Sequence, residues 1–159
     1  MPDWRIEALT GERVTALAAC HIASWREAYD ALVPGHVLAG FDLERSAAIW
    51  ERRRTDGTHR LPIALAGDRL IGFAAATDTE LEALYVRAAW HGTGVADALI
   101  DAAAPGSPCT LWVFGDYPRA HAFYRRHGFA DTGVRRVDPF TLLPEQLWRR
   151  GLSRAVDYP

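Results

Sequence analysis

The stretch ALYVRAAWHGTGVADALIDA, from Ala83 to Ala102, constrains the fold more than any other part of the chain. An apolar run stops at Val86, Gly92 and Gly94 stand one residue apart, and a helical apolar period begins at once. Strand, glycines and helix in immediate succession form the junction of a layered α/β chain. A glycine at such a junction lets another group approach the backbone where the helix's first N–H donors are unpaired and its dipole is positive. That makes an anion site, and phosphate is the usual anion.

Two phosphate motifs fail on their neighbours. A Walker loop needs Lys and Ser/Thr after its last glycine, whereas Val95 and Ala96 follow Gly94. A dinucleotide fingerprint needs a small residue where Asp97 stands, and it needs an early strand opening a βαβ unit. On the glycines alone, an anion cradle and a plain strand-to-helix turn remain equally open.

The rest of the chain reads as alternating elements. Val14, Leu17 or Ala18, Ile22, Trp25, Tyr29 and Leu32 follow helical spacing until Pro34-Gly35. Asp42 is placed to cap a second helix carrying Leu43, Ala47 and Trp50 on one face, with Arg52 to Arg54 at its cation-favouring end. At Leu61 the period changes, and LPIALA and RLIGFAAA, separated by Gly67-Asp68, read as a strand pair with a tight turn. ELEALYV is a third strand. A helix from Thr93 to Ala104, halted by PGSP, then leads to the strand CTLWVF, the helix YPRAHAFYRRHG and the strands FADTGVRRV and EQLWRRGL. No repeat or linker interrupts the order, so residues 1–159 read as one α/β (α+β) domain: a mixed central sheet of about six to seven strands flanked by about four helices.

Bulk properties narrow the function. Residues that are 49% hydrophobic and 24% charged, with a net charge of −2, give no global attraction to nucleic acid or to an anionic membrane. Cys20 and Cys109 are far apart, lack metal-ligand spacing and accompany no signal-like or spanning segment, so a reduced cytoplasmic protein without a bound metal is expected. Cys20 and His21 are neighbours, and neighbours on a helix point about 100° apart, so the pair reads as structural.

Three segments carry a family resemblance. HGTGVA, preceded by LYV, resembles the Q/R-x-x-G-x-G/A loop of Gcn5-related N-acetyltransferases (GNAT), with Gly94 and Ala96 in register. LWVFGDYPRAHAFYRRHGF, Leu111 to Phe129, resembles that family's LWV-x-x-x-N-x-x-A-x-x-F-Y-x-x-x-G-F. SWREAYDALVP resembles the opening helix of many bacterial members. The departures are His91 for Gln or Arg, Thr93 for a frequent Arg or Lys, and Tyr117 for Asn.

The resemblance implies acetyl-CoA as co-substrate. Leu84, Tyr85 and Val86 would then bind its pantetheine arm through backbone groups, and His91, Gly92, Thr93, Gly94, Val95 and Ala96 its pyrophosphate. Tyr117 would lie beside it. Tyr124 would act as general acid at the thioester sulfur, although Ala120, Phe123, Tyr124 and His127 also form a helix-face stripe that a core tyrosine would occupy. Glu80 and Glu82, two residues apart on one side of a strand, are candidate bases, and His21 is another. Trp25, Tyr29 and Asp30, with Asp42 nearby, lie in the acceptor zone, where aromatics and acids suit a cationic amine. The expected reaction is direct acetyl transfer in a ternary complex to a small-molecule primary amine. A protein N-terminus or lysine as acceptor, and a non-catalytic acyl-CoA-binding module, are the alternatives. A homodimer through the Trp- and Arg-rich strand LWRRGL is a further expectation.

Overall fold

The change of period at Leu61 is where the sheet begins in earnest. The computed structural model describes residues 3–104 and 108–151. It contains strands β1 (Arg5–Ala8), β2 (Pro62–Ala66), β3 (Arg69–Ala76), β4 (Leu81–Val86), β5 (Cys109–Phe114), β6 (Ala130–Val137) and β7 (Pro144–Arg150). The helices are α1 (Val14–Tyr29), α2 (Gly35–Ala39), α3 (Leu43–Thr55), α4 (Val95–Ala103) and α5 (Pro118–Arg126). Gly67, at φ 61°, turns β2 into β3, as a tight hairpin requires. Asp42 caps α3, its Oδ1 accepting from the amides of Glu44 at 2.9 Å and Arg45 at 3.3 Å.

The strands form two hydrogen-bonded sheets, β1-β2-β3-β4 and β5-β7-β6, antiparallel throughout. They meet at one parallel bridge, Glu80 with Thr110, where the Thr110 amide donates to the Thr79 carbonyl at 2.9 Å. Past that bridge β4 and β5 separate. A bulge accompanies the separation: Ala75 faces Ala83 while Ala76 faces Leu81, so Glu82 is an extra residue in β4. Bulges bend a strand and sharpen its twist, which turns β4 away from β5.

Helices cover both faces. On one, Leu17 of α1 and Trp50 of α3 pack on Ile63, Leu65 and Phe73. On the other, Val95, Leu99 and Ile100 of α4 pack with Ile71, Leu111 and Trp148. Burying such a side chain stabilises the fold by roughly 1.5–3 kcal/mol, so these two layers fix the strands that flank the gap between β4 and β5.

Four readings of the sequence change here. β1 was not anticipated because its four residues, RIEA, offer only Ile6 as a half-buried apolar contact. α2 follows Pro34, making five helices rather than four. α4 starts at Val95 rather than Thr93, because Gly92 and Gly94 take φ values of 79° and 91°, outside the helical region. It ends at Ala103, and Pro105 to Ser107 of the expected stop lie outside the described residues. LWRRGL does contribute to a paired strand, but β7 is the centre of its sheet, with β5 on one edge and β6 on the other. It therefore has no free edge for a second copy of the chain.

His21 is a core residue rather than a base. Its ring lies against Trp50, Phe73 and Tyr85, and its Nδ1 accepts from Nε1 of Trp50 at 3.3 Å. Burial, followed by the nearby Arg53, pushes the imidazole down to about 4. The folded state thus keeps a neutral ring that the unfolded chain protonates below about pH 6.5. Stability from this residue is full above that pH and is lost as pH falls toward 4, by about 3 kcal/mol. Urea midpoints measured between pH 7 and pH 4 should therefore drop. His21→Gln, which keeps an acceptor for Trp50 without the titration, should flatten that part of the profile.

Candidate active site

The gap between β4 and β5 is a cleft of about 280 Å³. Trp25 and Tyr29 of α1 line it from one side and Tyr117 and Tyr124 at α5 from another, while Glu80 stands where the sheets join. Beyond Val86, at the open end, are His91 and Ala96.

The cleft-facing edge of β4 offers backbone groups. Arg87 donates its amide to the Ile71 carbonyl at 2.9 Å, so the alternation of an antiparallel ladder turns the N–H and C=O of Leu84 and Val86 toward the cleft, and those of Tyr85 toward β3. The Tyr85 side chain still lines the cleft. Nε2 of His91 donates to the Val86 carbonyl at 2.9 Å, whereas the cleft-facing N–H and C=O of Leu84 have no partner among the described residues.

The glycine loop is built from backbone. Thr93 Oγ1 donates to the Trp90 carbonyl at 2.6 Å and Nε2 of His91 donates to the Val86 carbonyl, so both side chains bond backbone beside the loop. Left-handed Gly92 and Gly94 then leave the amides from Gly92 to Asp97 without protein acceptors among the described residues. A Cβ on Gly92 would meet nothing within 4 Å, so the space above the loop is open. Successive free amides at the positive end of α4 suit a diphosphate. Asp97, the acid in the first turn of α4, accepts from Arg126 at 3.0 Å and from Nε2 of His127 at 2.7 Å. Those partners offset a charge that would otherwise oppose an anion.

Four phenols, Tyr29, Tyr85, Tyr117 and Tyr124, share the cleft, and each is shifted upward first by burial. Tyr85 is pushed up to about 12. Tyr124 rises further with the help of Tyr85 and Tyr117, and its hydroxyl has no protein partner among the described residues. Tyr29 and Tyr117 lie 5.4 Å apart between ring centroids.

The predicted carboxylates diverge in their partners. Burial raises Glu80 above the usual carboxylate range, Glu82 and Glu145 add to the rise, and Arg136 opposes it. Glu82 also lines the cleft, and its Oε1 lies 2.8 Å from Nε2 of His59. Of the acceptor-zone residues, Trp25 and Tyr29 meet at 4.6 Å, and Trp25 also contacts Phe41 and Phe140. Asp30 is exposed at the end of α1 and is not among the cleft-lining residues, and Asp42 is committed to its helix cap.

Sequence reasoning missed three features of the site. Glu27 accepts from Arg87 at 3.0 Å and from the Ala88 amide at 3.0 Å, tying α1 to the segment after β4. Glu145 and Arg136 pair at 2.7 Å in the cleft wall, with the guanidinium 3.9 Å over the Trp112 ring. His59 is the third. Glu27–Arg87 and His59–Glu82 join residues 60 and 23 positions apart and Arg136–Glu145 is a cross-strand pair, contacts that no local spacing signals.

This geometry has recognisable relatives. A family model described as an acetyltransferase (GNAT) domain matches residues 57–131. Uncharacterized N-acetyltransferases of Mycobacterium tuberculosis and Mycobacterium bovis are 31% identical over 116 residues, covering 66% of this chain and 74% of theirs. The chain belongs to the GNAT family of acetyltransferases. Among solved structures, the PaiA N-acetyltransferase of Thermoplasma acidophilum in complex with coenzyme A superposes with a TM-score of 0.74 at 17% identity, over 94% of this chain and 99% of that one. YncA of Salmonella typhimurium with its cofactor acetyl-CoA gives 0.69 at 15% identity, over 98% of both chains. These two likenesses establish the shared fold. No helix among the described residues is long and apolar enough to cross a membrane.

Proposed function

We propose that the chain transfers an acetyl group from acetyl-CoA to the primary amine of a small molecule, with both substrates bound together in the β4–β5 cleft. The observation that carries the reading is the run of free amides from Gly92 to Asp97 at one end of a cleft whose other end holds Glu80. Leu84 and the amides of Gly92, Thr93, Gly94, Val95 and Ala96 would hold the co-substrate. When bound, acetyl-CoA supplies an activated acetyl thioester.

The chain's own residues then have three tasks. Trp25 and Tyr29 present aromatic faces to a cationic amine, and Glu80 and Glu82 add negative charge. Glu80 or Glu82 accepts the proton that the amine must lose. Tyr124 donates to the developing thiolate. A raised phenol stays protonated throughout the neutral range, whereas a thiol titrates near 8.5, so complete proton transfer is uphill. Tyr124 is therefore assigned as a hydrogen-bond donor that stabilises the leaving sulfur, with the proton itself supplied in the end by solvent. No covalent acyl-enzyme is required: Cys20 is buried and pushed up to about 11, and Cys109 is buried with its thiol also raised.

The test is release of free thiol from acetyl-CoA with a panel of small aliphatic and aromatic amines set against N-terminal and lysine peptides. Turnover that favours the small amines supports the proposal. Turnover with peptides alone would transfer the assignment to a protein acceptor.

A further inference from the structure

We infer that His59 is the proton outlet of the cleft, working through Glu82, with Asp56 as its positioning residue. The inference rests on the transferase reading above and extends it to a residue outside the cleft. His59 sits between α3 and β2, its side chain only 10% exposed, and each ring nitrogen faces a carboxylate. Nε2 is 2.8 Å from Oε1 of Glu82, and Nδ1 is 2.8 Å from Oδ2 of Asp56. The ring thus forms a link in a line from Glu82 to Asp56.

The line joins two spaces. Glu82 lines the reaction cleft, while His59 lines a separate open depression shared with Gly57, Arg60, Thr77 and Asp78. Asp56 is itself fixed, its Oδ1 accepting from the Thr58 amide at 2.8 Å and the Thr58 hydroxyl at 3.0 Å. The Thr58 amide is the first cause that holds the Asp56 carboxyl below the usual range, so it stays an acceptor and keeps the proton on Nδ1. Nε2 is left to share one proton with Glu82. The bulge at Glu82 matters here, because the extra residue lets this carboxylate leave the alternation of β4 and reach His59.

The chemistry follows from acid–base matching. A carboxylate alone is a weak base for an alkylammonium, whereas an imidazole changes charge between about pH 5 and 8 and accepts such a proton more readily. With the shared site empty, the amine N–H bond breaks and the proton enters the gap between Oε1 and Nε2. The charged ring then yields its Nδ1 proton past Asp56 to water in the outer depression, and proton exchange with that water returns the neutral ring to the Nδ1–H tautomer, which empties the gap for the next turnover. Charged groups around the pair are Asp56, Glu80 and the Arg60–Asp78 ion pair, whose partners lie 2.9 Å apart.

The experiment uses the full chain and compares wild type with His59→Ala, measuring kcat against pH with and without added imidazole, together with acetyl-CoA binding. Loss of the histidine should lower kcat by about a hundredfold, leave acetyl-CoA affinity unchanged, and remove the rise of kcat with pH expected of wild type. Imidazole admitted through the depression should restore part of the rate. Asp56→Asn, which keeps the shape of the site, should show a smaller loss of the same kind. An unchanged kcat and pH profile in His59→Ala would overturn the inference, as would a loss that imidazole does not relieve and that leaves the pH profile intact. Wild type inert toward every amine while binding acetyl-CoA would overturn the transferase reading, and this inference with it.

Discussion

Tyr124→Phe is expected to lower kcat by about a hundredfold or more while acetyl-CoA binds as before. The substitution removes one oxygen and keeps the ring, so the contacts of Tyr124 with Phe123 and Phe129 survive. The lost oxygen has no protein partner among the described residues, so no buried donor or acceptor is stranded by its removal. A folding defect is therefore not expected, and thermal melting should stay close to that of wild type. Because burial raises the phenol, the wild-type rate should also show no loss near neutral pH from ionisation of this residue. An unchanged kcat in Tyr124→Phe would remove Tyr124 from the reaction and leave it as a helix-face aromatic.

Gly94→Val should weaken acetyl-CoA binding by at least about tenfold. Gly94 holds φ at 91° immediately before α4, a conformation that costs a β-branched residue about 1–3 kcal/mol. Space is not the obstacle, since the nearest atom to an added Cβ is Trp4 Cζ2 at 3.8 Å. The strain is relieved if the loop rotates, while α4 stays anchored by buried Val95, Leu99 and Ile100. Rotation turns the free amides away from their common focus. Titration with acetyl-CoA, beside a melting curve, separates the lost site from a lost fold.

The parts of this fold that were legible in the sequence are those with a local cause. Gly67-Asp68 marked the β2–β3 turn, Asp42 marked a helix start, and Gly92 and Gly94 marked the strand-to-helix junction, each because backbone conformation or capping acts within a few residues. β1 escaped because a four-residue strand at the edge of a sheet carries little periodic signal. The open ladder edge at Leu84 and Val86 depends on the partings of β4 from β5, which the bulge at Glu82 makes possible and no local spacing announces.

The same distinction divides the site. Tyr124, Trp25 and Tyr29, singled out through the family resemblance, and Glu80, chosen for its place on the strand that leads to the loop, all line the cleft. Asp30 was selected for its charge, but one step past the end of α1 it is exposed and away from the cleft. The resemblance put His91 and Thr93 in the phosphate loop; the folded chain adds that Nε2 of His91 and Oγ1 of Thr93 bond the carbonyls of Val86 and Trp90, which the sequence did not announce. The pairs Glu27–Arg87, Asp97–His127 and His59–Glu82 join residues 60, 30 and 23 positions apart, and only the folded chain brings them together.

The central claim, that the glycine loop is a diphosphate cradle for a CoA thioester, is tested most directly by calorimetric titration of the wild-type chain with acetyl-CoA, CoA and NAD. Saturable binding of both CoA species without binding of NAD is the expected result, because the loop amides are proposed to take the diphosphate and the Leu84 edge the pantetheine arm. No heat with either CoA species from a chain that melts cooperatively would contradict it, leaving HGTGVA as a turn between a strand and a helix.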